Sequence, residues 1–233
     1  MSATKSAGSS PGTRLPIVVL ISGRGSNMLA IARAAVSGQL PVEVRAVISD
    51  KADAPGLASA AELNIPTRTL SPREFADRDT YDAALADLVA SFDPGLVVLA
   101  GFMRILSPRF IDRFADRIFN IHPSLLPKYR GLHTHRRVLE AKECDHGVSV
   151  HLVTHDLDAG PVIIQACIAV RPDDTEASLS ARVQRQEHRI YPQAIDWFAR
   201  GRLTIDNGRV YLDGRLLETP VVIDARGDDA QGD

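Results

Sequence analysis

The sequence predicts an α/β fold: a Rossmann-like N-terminal half with a mostly parallel sheet, continuing into a mixed sheet, with helices on both faces. Three observations carry this. Short, continuous apolar runs alternate with stretches of helical spacing, the pattern of βαβ units. The runs are apolar at nearly every position rather than every second one, as strands covered on both faces require. From Gly147 onward the pattern changes to strict alternation and hairpin turns, which suits antiparallel pairing.

Taken in order, MSATKSAGSSPGTR at residues 1–14 is rich in Ser and Gly, lacks the apolar core of a signal peptide and reads as a disordered tail. A single domain is expected over residues 15–217. LPIVVLISG, from Leu15 to Gly23, is the first buried strand, and SNMLAIARAAVSGQL follows as a helix stopping near Gly38. VEVRAVIS is the second strand, GLASAAELNIP a helix and TRTL a short strand. Between Thr80 and Ser91, Tyr81, Leu85, Leu88 and Val89 recur at helical spacing. Leu96–Ala100 and RIFNI are further strands. GVSVHLVT and PVIIQACIAV form an antiparallel pair across the turn HDLDAGP. Thr175–Arg200 reads as one long helix, which Pro192 is expected to kink or break. Asn207-Gly208 and Asp213-Gly214 mark hairpin turns. Residues 218–233, ending in DARGDDAQGD, read as a flexible acidic tail.

Composition excludes several function classes. A net charge of −2 over 233 residues supplies no field for nucleic acid. No apolar run approaches the roughly 18 residues of a membrane span. Two cysteines, Cys144 and Cys167, are too few for a disulfide scaffold and read as reduced thiols of a cytoplasmic protein.

Two short stretches carry chemistry. SGRGSN, Ser22–Asn27, follows the first strand and opens a helix, where backbone N–H groups and the helix dipole favour an anion and Arg24 adds positive charge. It lacks the third glycine of a dinucleotide loop and the Lys of a Walker loop, so a plain turn capped by Ser26 or Asn27 is an equal reading. In RIFNIHPSLLPKYRG, Asn120 and His122 are spaced i, i+2 and point the same way from a strand. Either they meet in a cleft at the strand's carboxyl end, offering an amide donor and a movable proton, or they satisfy backbone groups at a bend. Asp158, or its rival Asp156, is a turn residue that becomes a partner for His122 if the loop lies close. His122, His133, His135 and His151 lack zinc-site spacing, Ser124 and Ser149 lack a nucleophile elbow, and Cys144 reads as an inert thiol.

VVLISGRGSN, VVLAGFMRIL, NIHPSLLPKYRGLHTH, SVHLVTHDLDAGPVI and ARVQRQEHRIYP occur in this order. Together they closely resemble the phosphoribosylglycinamide formyltransferases among the folate-dependent formyltransferases, over about Ile17–Leu216. The resemblance implies 10-formyltetrahydrofolate as formyl donor, glycinamide ribonucleotide as acceptor, no metal, and a possible homodimer. It implies a catalytic trio of Asn120, His122 and Asp158. It places Gly25, Ser26, Asn27, Gln184 and Glu187 on the ribonucleotide. It places Arg78, Met103, Arg104, Ile105, Leu106, Asn120 and Thr154, His155, Asp156, Leu157 and Asp158 on the folate. Arg24, Leu152 and His155 depart from the usual family residues. Formyltetrahydrofolate hydrolases share the trio but should carry an N-terminal regulatory domain. Methionyl-tRNA formyltransferases should carry a basic C-terminal domain, and a non-catalytic nucleotide sensor would not need the trio.

Overall fold

In the first strand, β1 (Leu15–Ile21), Ile17, Val19 and Ile21 enter one hydrophobic core and Val18 and Leu20 another, which is why the run is apolar throughout. The computed structural model describes residues 14–227; the stretches 1–13 and 228–233, where much of the expected tails falls, lie outside the described residues. After β1 the chain runs α1 (Ser26–Val36), β2 (Val42–Ser49), α2 (Pro55–Glu62), β3 (Thr67–Thr69), α3 (Arg78–Ala90), β4 (Leu96–Leu99), α4 (Pro108–Arg113) and β5 (Ile118–His122). It continues through α5 (Thr134–Glu140), β6 (Asp145–Leu152), β7 (Val162–Ala169), α6 (Glu176–Ala199), β8 (Leu203–Asp206), β9 (Arg209–Leu212), β10 (Arg215–Leu216) and β11 (Val221–Asp224).

The main sheet has the order β11-β7-β6-β5-β4-β1-β2-β3. It is parallel from β3 through β2, β1 and β4 to β5, then antiparallel at β5–β6 and β6–β7. The strand order reverses between β1 and β4, the point at which open α/β sheets bind ligands beyond their carboxyl ends. One core lies under α1 and α6, the other under α3 and α4. The β8–β9–β10 meander turns at Asn207-Gly208 and Asp213-Gly214, all four residues at positive φ, as the sequence leads one to expect.

Three features differ from the sequence expectation. Pro192 does not break its helix, since α6 runs unbroken for 24 residues. Losing one hydrogen bond and relieving the ring clash costs about 3 kcal/mol. Full burial of Leu179, Val183, Ile190 and Ile195 on the same helix contributes roughly 2 kcal/mol each, so packing wins. The segment from residue 218 is not all tail: Val221–Asp224 adds β11 in parallel beside β7, its alternating Val221 and Ile223 packed against the core. Four residues of polar-flanked strand are too short to stand out by periodicity. Finally, α4 is a six-residue helix started by the Ser107 cap and Pro108, also too short for a periodic signal.

Gly147 shows how closely β6 and β7 approach: a Cβ there would lie 1.9 Å from the Ala166 carbonyl oxygen. Gly147→Ala is therefore expected to cost about 2–4 kcal/mol of stability. A lowered urea midpoint at unchanged m-value is the result to look for. An unaltered midpoint would contradict this packing. Among the described residues no helix is long and apolar enough to cross a membrane.

Candidate active site

Phe119 and Ile121 on β5 enter the core beneath α6, so Asn120 and His122 project to the opposite side at the strand's tip. The antiparallel partner β6 sets His151 directly across from Asn120 and Ser149 across from His122. Asn120 Nδ2 lies 3.0 Å from His151 Nε2, and His151 Nδ1 lies 3.0 Å from the Leu152 carbonyl oxygen. The carbonyl can only accept, so the His151 proton sits on Nδ1 and Nε2 accepts from the Asn120 amide. Burial pushes the His151 pKa down, which keeps this ring neutral.

His122 has acceptors at both nitrogens. Its Nε2 lies 3.0 Å from the Tyr129 carbonyl oxygen, and its Nδ1 lies 3.5 Å from Asp158 Oδ2. Both side chains are about 8% exposed, so their charges are little screened. Asp158, at φ 49° in the β6–β7 connection, is held by the Gly131 N–H donating to Oδ2 at 2.9 Å. Its other oxygen lies 3.7 Å from His151 Nε2. Asp156, the rival carboxylate, is exposed and makes no such contact.

The bend after His122 is fixed by a buried polar network. Ser149 Oγ donates to the Ser124 carbonyl at 2.6 Å and accepts from Leu126 N at 3.0 Å. Gln165 Nε2 donates to the Leu126 carbonyl and to Ser149 Oγ, each at 2.9 Å. The chain then returns through left-handed Tyr129, Gly131 and His133, which places the Tyr129 carbonyl against His122 and the Gly131 N–H against Asp158.

Two cavities meet at this strand tip. One, of about 490 Å³, is lined by Met103–Leu106, Asn120 and Thr154–Asp158, all expected on the folate, and by His122, expected in the catalytic trio. Leu132, His133, His135, His151 and Val153 are among its other lining residues, which sequence reasoning did not assign to a ligand. The other, of about 280 Å³, is lined by Ser22–Asn27, Gln184 and Glu187. Gly101, Met103, Ile121 and Pro123 border both. Arg78 lines neither; it donates to the Ile105 carbonyl at 2.7 Å and so braces a cavity wall from behind.

In the smaller cleft the N-cap of α1 is Gly25, at φ 70°, and no side chain caps the helix. A side chain at Gly25 would press on Gly56 Cα at 3.0 Å. The first-turn N–H groups thus face the cleft without competition from Ser26 or Asn27. Those side chains are tied to α6: Gln184 Nε2 donates to Ser26 Oγ at 3.0 Å, and Asn27 Nδ2 to Glu187 Oε2 at 2.7 Å. Burial pushes the Glu187 carboxyl up, and the Asn27 hydrogen bond partly opposes this.

The remaining histidines have separate roles. His135 Nδ1 lies 2.9 Å from His146 Nε2, and burial drives the His146 pKa down to about 3. His155 reaches Asp112 at 2.7 Å. Among the described residues no group of three or more His, Cys, Asp or Glu is arranged to hold a metal ion. Both cysteines are free thiols.

Comparison with known proteins agrees with this geometry. The formyl transferase family matches residues 15–195. The phosphoribosylglycinamide formyltransferase of Escherichia coli is 53% identical over 201 residues, covering 86% of this chain and 95% of its own. That of Haemophilus influenzae is 44% identical over the same shares of the two chains. The solved structure of the Coxiella burnetii phosphoribosylglycinamide formyltransferase superposes with a TM-score of 0.86 at 50% identity, covering 90% of this chain and 99% of that one. On its strand-tip geometry, its sequence and its fold, the chain belongs to the phosphoribosylglycinamide formyltransferase family.

Proposed function

We propose that the enzyme transfers the formyl group of 10-formyltetrahydrofolate to the amine of glycinamide ribonucleotide, giving formylglycinamide ribonucleotide and tetrahydrofolate in de novo purine biosynthesis. The observation that carries this reading is the junction of the two cavities. A large apolar cavity with Asn120, His122 and Asp158 in its wall adjoins a polar cleft built on an uncapped helix N-terminus. The first suits a flat heteroaromatic donor and the second a phosphorylated acceptor.

The α1 N-terminus with Gly25, Ser26 and Asn27 holds the phosphate, while Gln184 and Glu187 orient the sugar and glycinamide. The neutral amine then attacks the formyl carbon, and negative charge gathers on the formyl oxygen. Asn120 meets that oxygen with its second amide hydrogen, the first being committed to His151. His122, protonated on both nitrogens, gives a second donor: at 3.5 Å its contact to Asp158 is long enough for Nδ1–H to be shared with substrate. Asp158 stabilises the imidazolium. The tetrahedral intermediate collapses as the bond from carbon to N10 breaks, and the proton lost by the attacking amine passes to N10. Holding both reactants at one strand tip removes most of the entropic barrier to their meeting.

The test follows consumption of 10-formyltetrahydrofolate by the purified protein with and without glycinamide ribonucleotide. Consumption is expected only with the ribonucleotide, one formyl group transferred per molecule consumed. Equal rates in both arms would replace this reading with a formyltetrahydrofolate hydrolase.

A further inference from the structure

Arg24 lines the smaller cleft, is exposed, and makes no ion pair or side-chain hydrogen bond among the described residues. It is the single basic residue lining that cleft, and Glu187 is the single acidic one. The backbone around it is fixed. Gly56 N, in α2, donates to the Gly23 carbonyl at 3.1 Å, Leu29 N donates to the Gly25 carbonyl at 2.8 Å, and Gly25 packs on Gly56. The Arg24 side chain thus leaves a held turn immediately before the Gly25 N-cap of α1. No acidic residue stands in the first turn of α1 to neutralise it, and Glu187 is already engaged by Asn27. Asn27 is 8% exposed and lines the same cleft, yet its Oδ1 is buried without a hydrogen-bond partner. The cleft therefore offers an unclaimed guanidinium and helix N–H groups for an anion, beside an acceptor left for a donor of the same ligand.

We propose that Arg24 is a specificity-determining residue whose guanidinium meets the acceptor's phosphate and makes this cleft select a phosphate monoester over the same molecule without phosphate. This rests on the reading of the smaller cleft as the ribonucleotide site. The helix terminus alone discriminates weakly, because it carries roughly half a charge. A phosphate monoester carries about −1.5 to −2 at neutral pH. Helix N–H groups also bond to an uncharged hydroxyl oxygen. Arg24 adds a full charge and a planar pair of donors that matches two phosphate oxygens. The sequence resemblance places Gly25, Ser26 and Asn27 on the ribonucleotide and marks Arg24 as a departure. The guanidinium is thus this chain's own addition to a cradle built from backbone.

The test compares wild type, Arg24→Ala and Arg24→Lys in two ways. Calorimetric titration with ribose 5-phosphate reads the cleft alone, and steady-state kinetics compare glycinamide ribonucleotide with its dephosphorylated riboside. Arg24→Ala is expected to weaken ribose 5-phosphate binding and to raise the ribonucleotide KM, each about tenfold, the lower range for a hydrogen bond to a charged group. Arg24→Lys keeps the charge without the fork and should lose only about threefold. The folate KM and kcat at saturating ribonucleotide should stay within about twofold. With the riboside, wild type and Arg24→Ala should have the same kcat/KM within about twofold, since no phosphate is there to be met. Arg24 lies on an exposed turn, so these variants keep the fold. An equal penalty on the riboside would overturn the proposal, since the substitution would then act by disturbing the turn. Unaltered ribose 5-phosphate binding in Arg24→Ala would also overturn it and leave Arg24 a solvated surface charge. The two readings fail separately. Wild type that consumes no formyl donor in the presence of ribonucleotide refutes formyl transfer, whereas the ribose 5-phosphate titration decides the part of Arg24 without any turnover.

Discussion

His122→Ala is expected to lower kcat about a thousandfold, the combined scale of a lost proton-bearing group and a lost oxyanion donor. The dissociation constant of glycinamide ribonucleotide should stay within about twofold, because His122 borders the larger cavity and not the cleft around Gly25 and Glu187. The fold should survive. Smaller side chains at a strand tip leave a void, but the bend beyond is held independently by Ser149 and Gln165. The decisive measurement pairs single-turnover kinetics with calorimetric titration of the ribonucleotide. A variant with full turnover would remove His122 from the mechanism, and one that neither turns over nor binds ribonucleotide would show that the two sites are not separable as drawn.

The second large effect is expected at Asp158. Asp158→Asn is nearly isosteric, and its amide oxygen can still accept from Gly131 N–H, so the loop keeps its anchor. What is lost is the negative charge set between two imidazoles, at 3.5 Å from His122 and 3.7 Å from His151. With the amide oxygen kept at the Oδ2 position, the new NH₂ group takes the place of Oδ1 and faces His151 Nε2. We expect kcat to fall roughly a hundredfold, a typical loss for a group that supports proton transfer, with the melting temperature within a few degrees of wild type. Unchanged kcat would return Asp158 to the part of an ordinary turn residue, which spacing alone also allowed.

Much of this was legible in the sequence for identifiable reasons. The continuous runs Ile17–Ile21 and Leu96–Leu99 are apolar because each strand feeds two cores, and that pattern needs no partner to be recognised. Asn120 and His122 stood out through their spacing on a strand. The link to Asp158 did not, since it depends on a loop 36 residues further along the chain folding back past β6. His151 was visible only as one histidine among several. Its part, accepting from Asn120, follows from the antiparallel register that sets it opposite Asn120, and register is a tertiary property. The Tyr129 carbonyl and the Gly131 N–H are backbone groups and leave no mark in residue type. Arg78 shows the converse limit: family resemblance places it at the folate, and in this structure it meets the Ile105 carbonyl instead of lining the cavity, a backbone contact that residue type does not announce.

The short strand β11 has a bearing on how the protein behaves in concentrated solution. It covers the outer edge of β7, an eight-residue strand whose other side is paired with β6. A chain ended at Leu217, where composition suggests the domain stops, leaves that edge bare. Its row of unsatisfied N–H and C=O groups, flanked by Val162, Ile164 and Ile168, is the kind of template on which another copy adds a strand. The last strand therefore acts as a guard against aggregation, three places along the sheet from β5 with its Asn120 and His122.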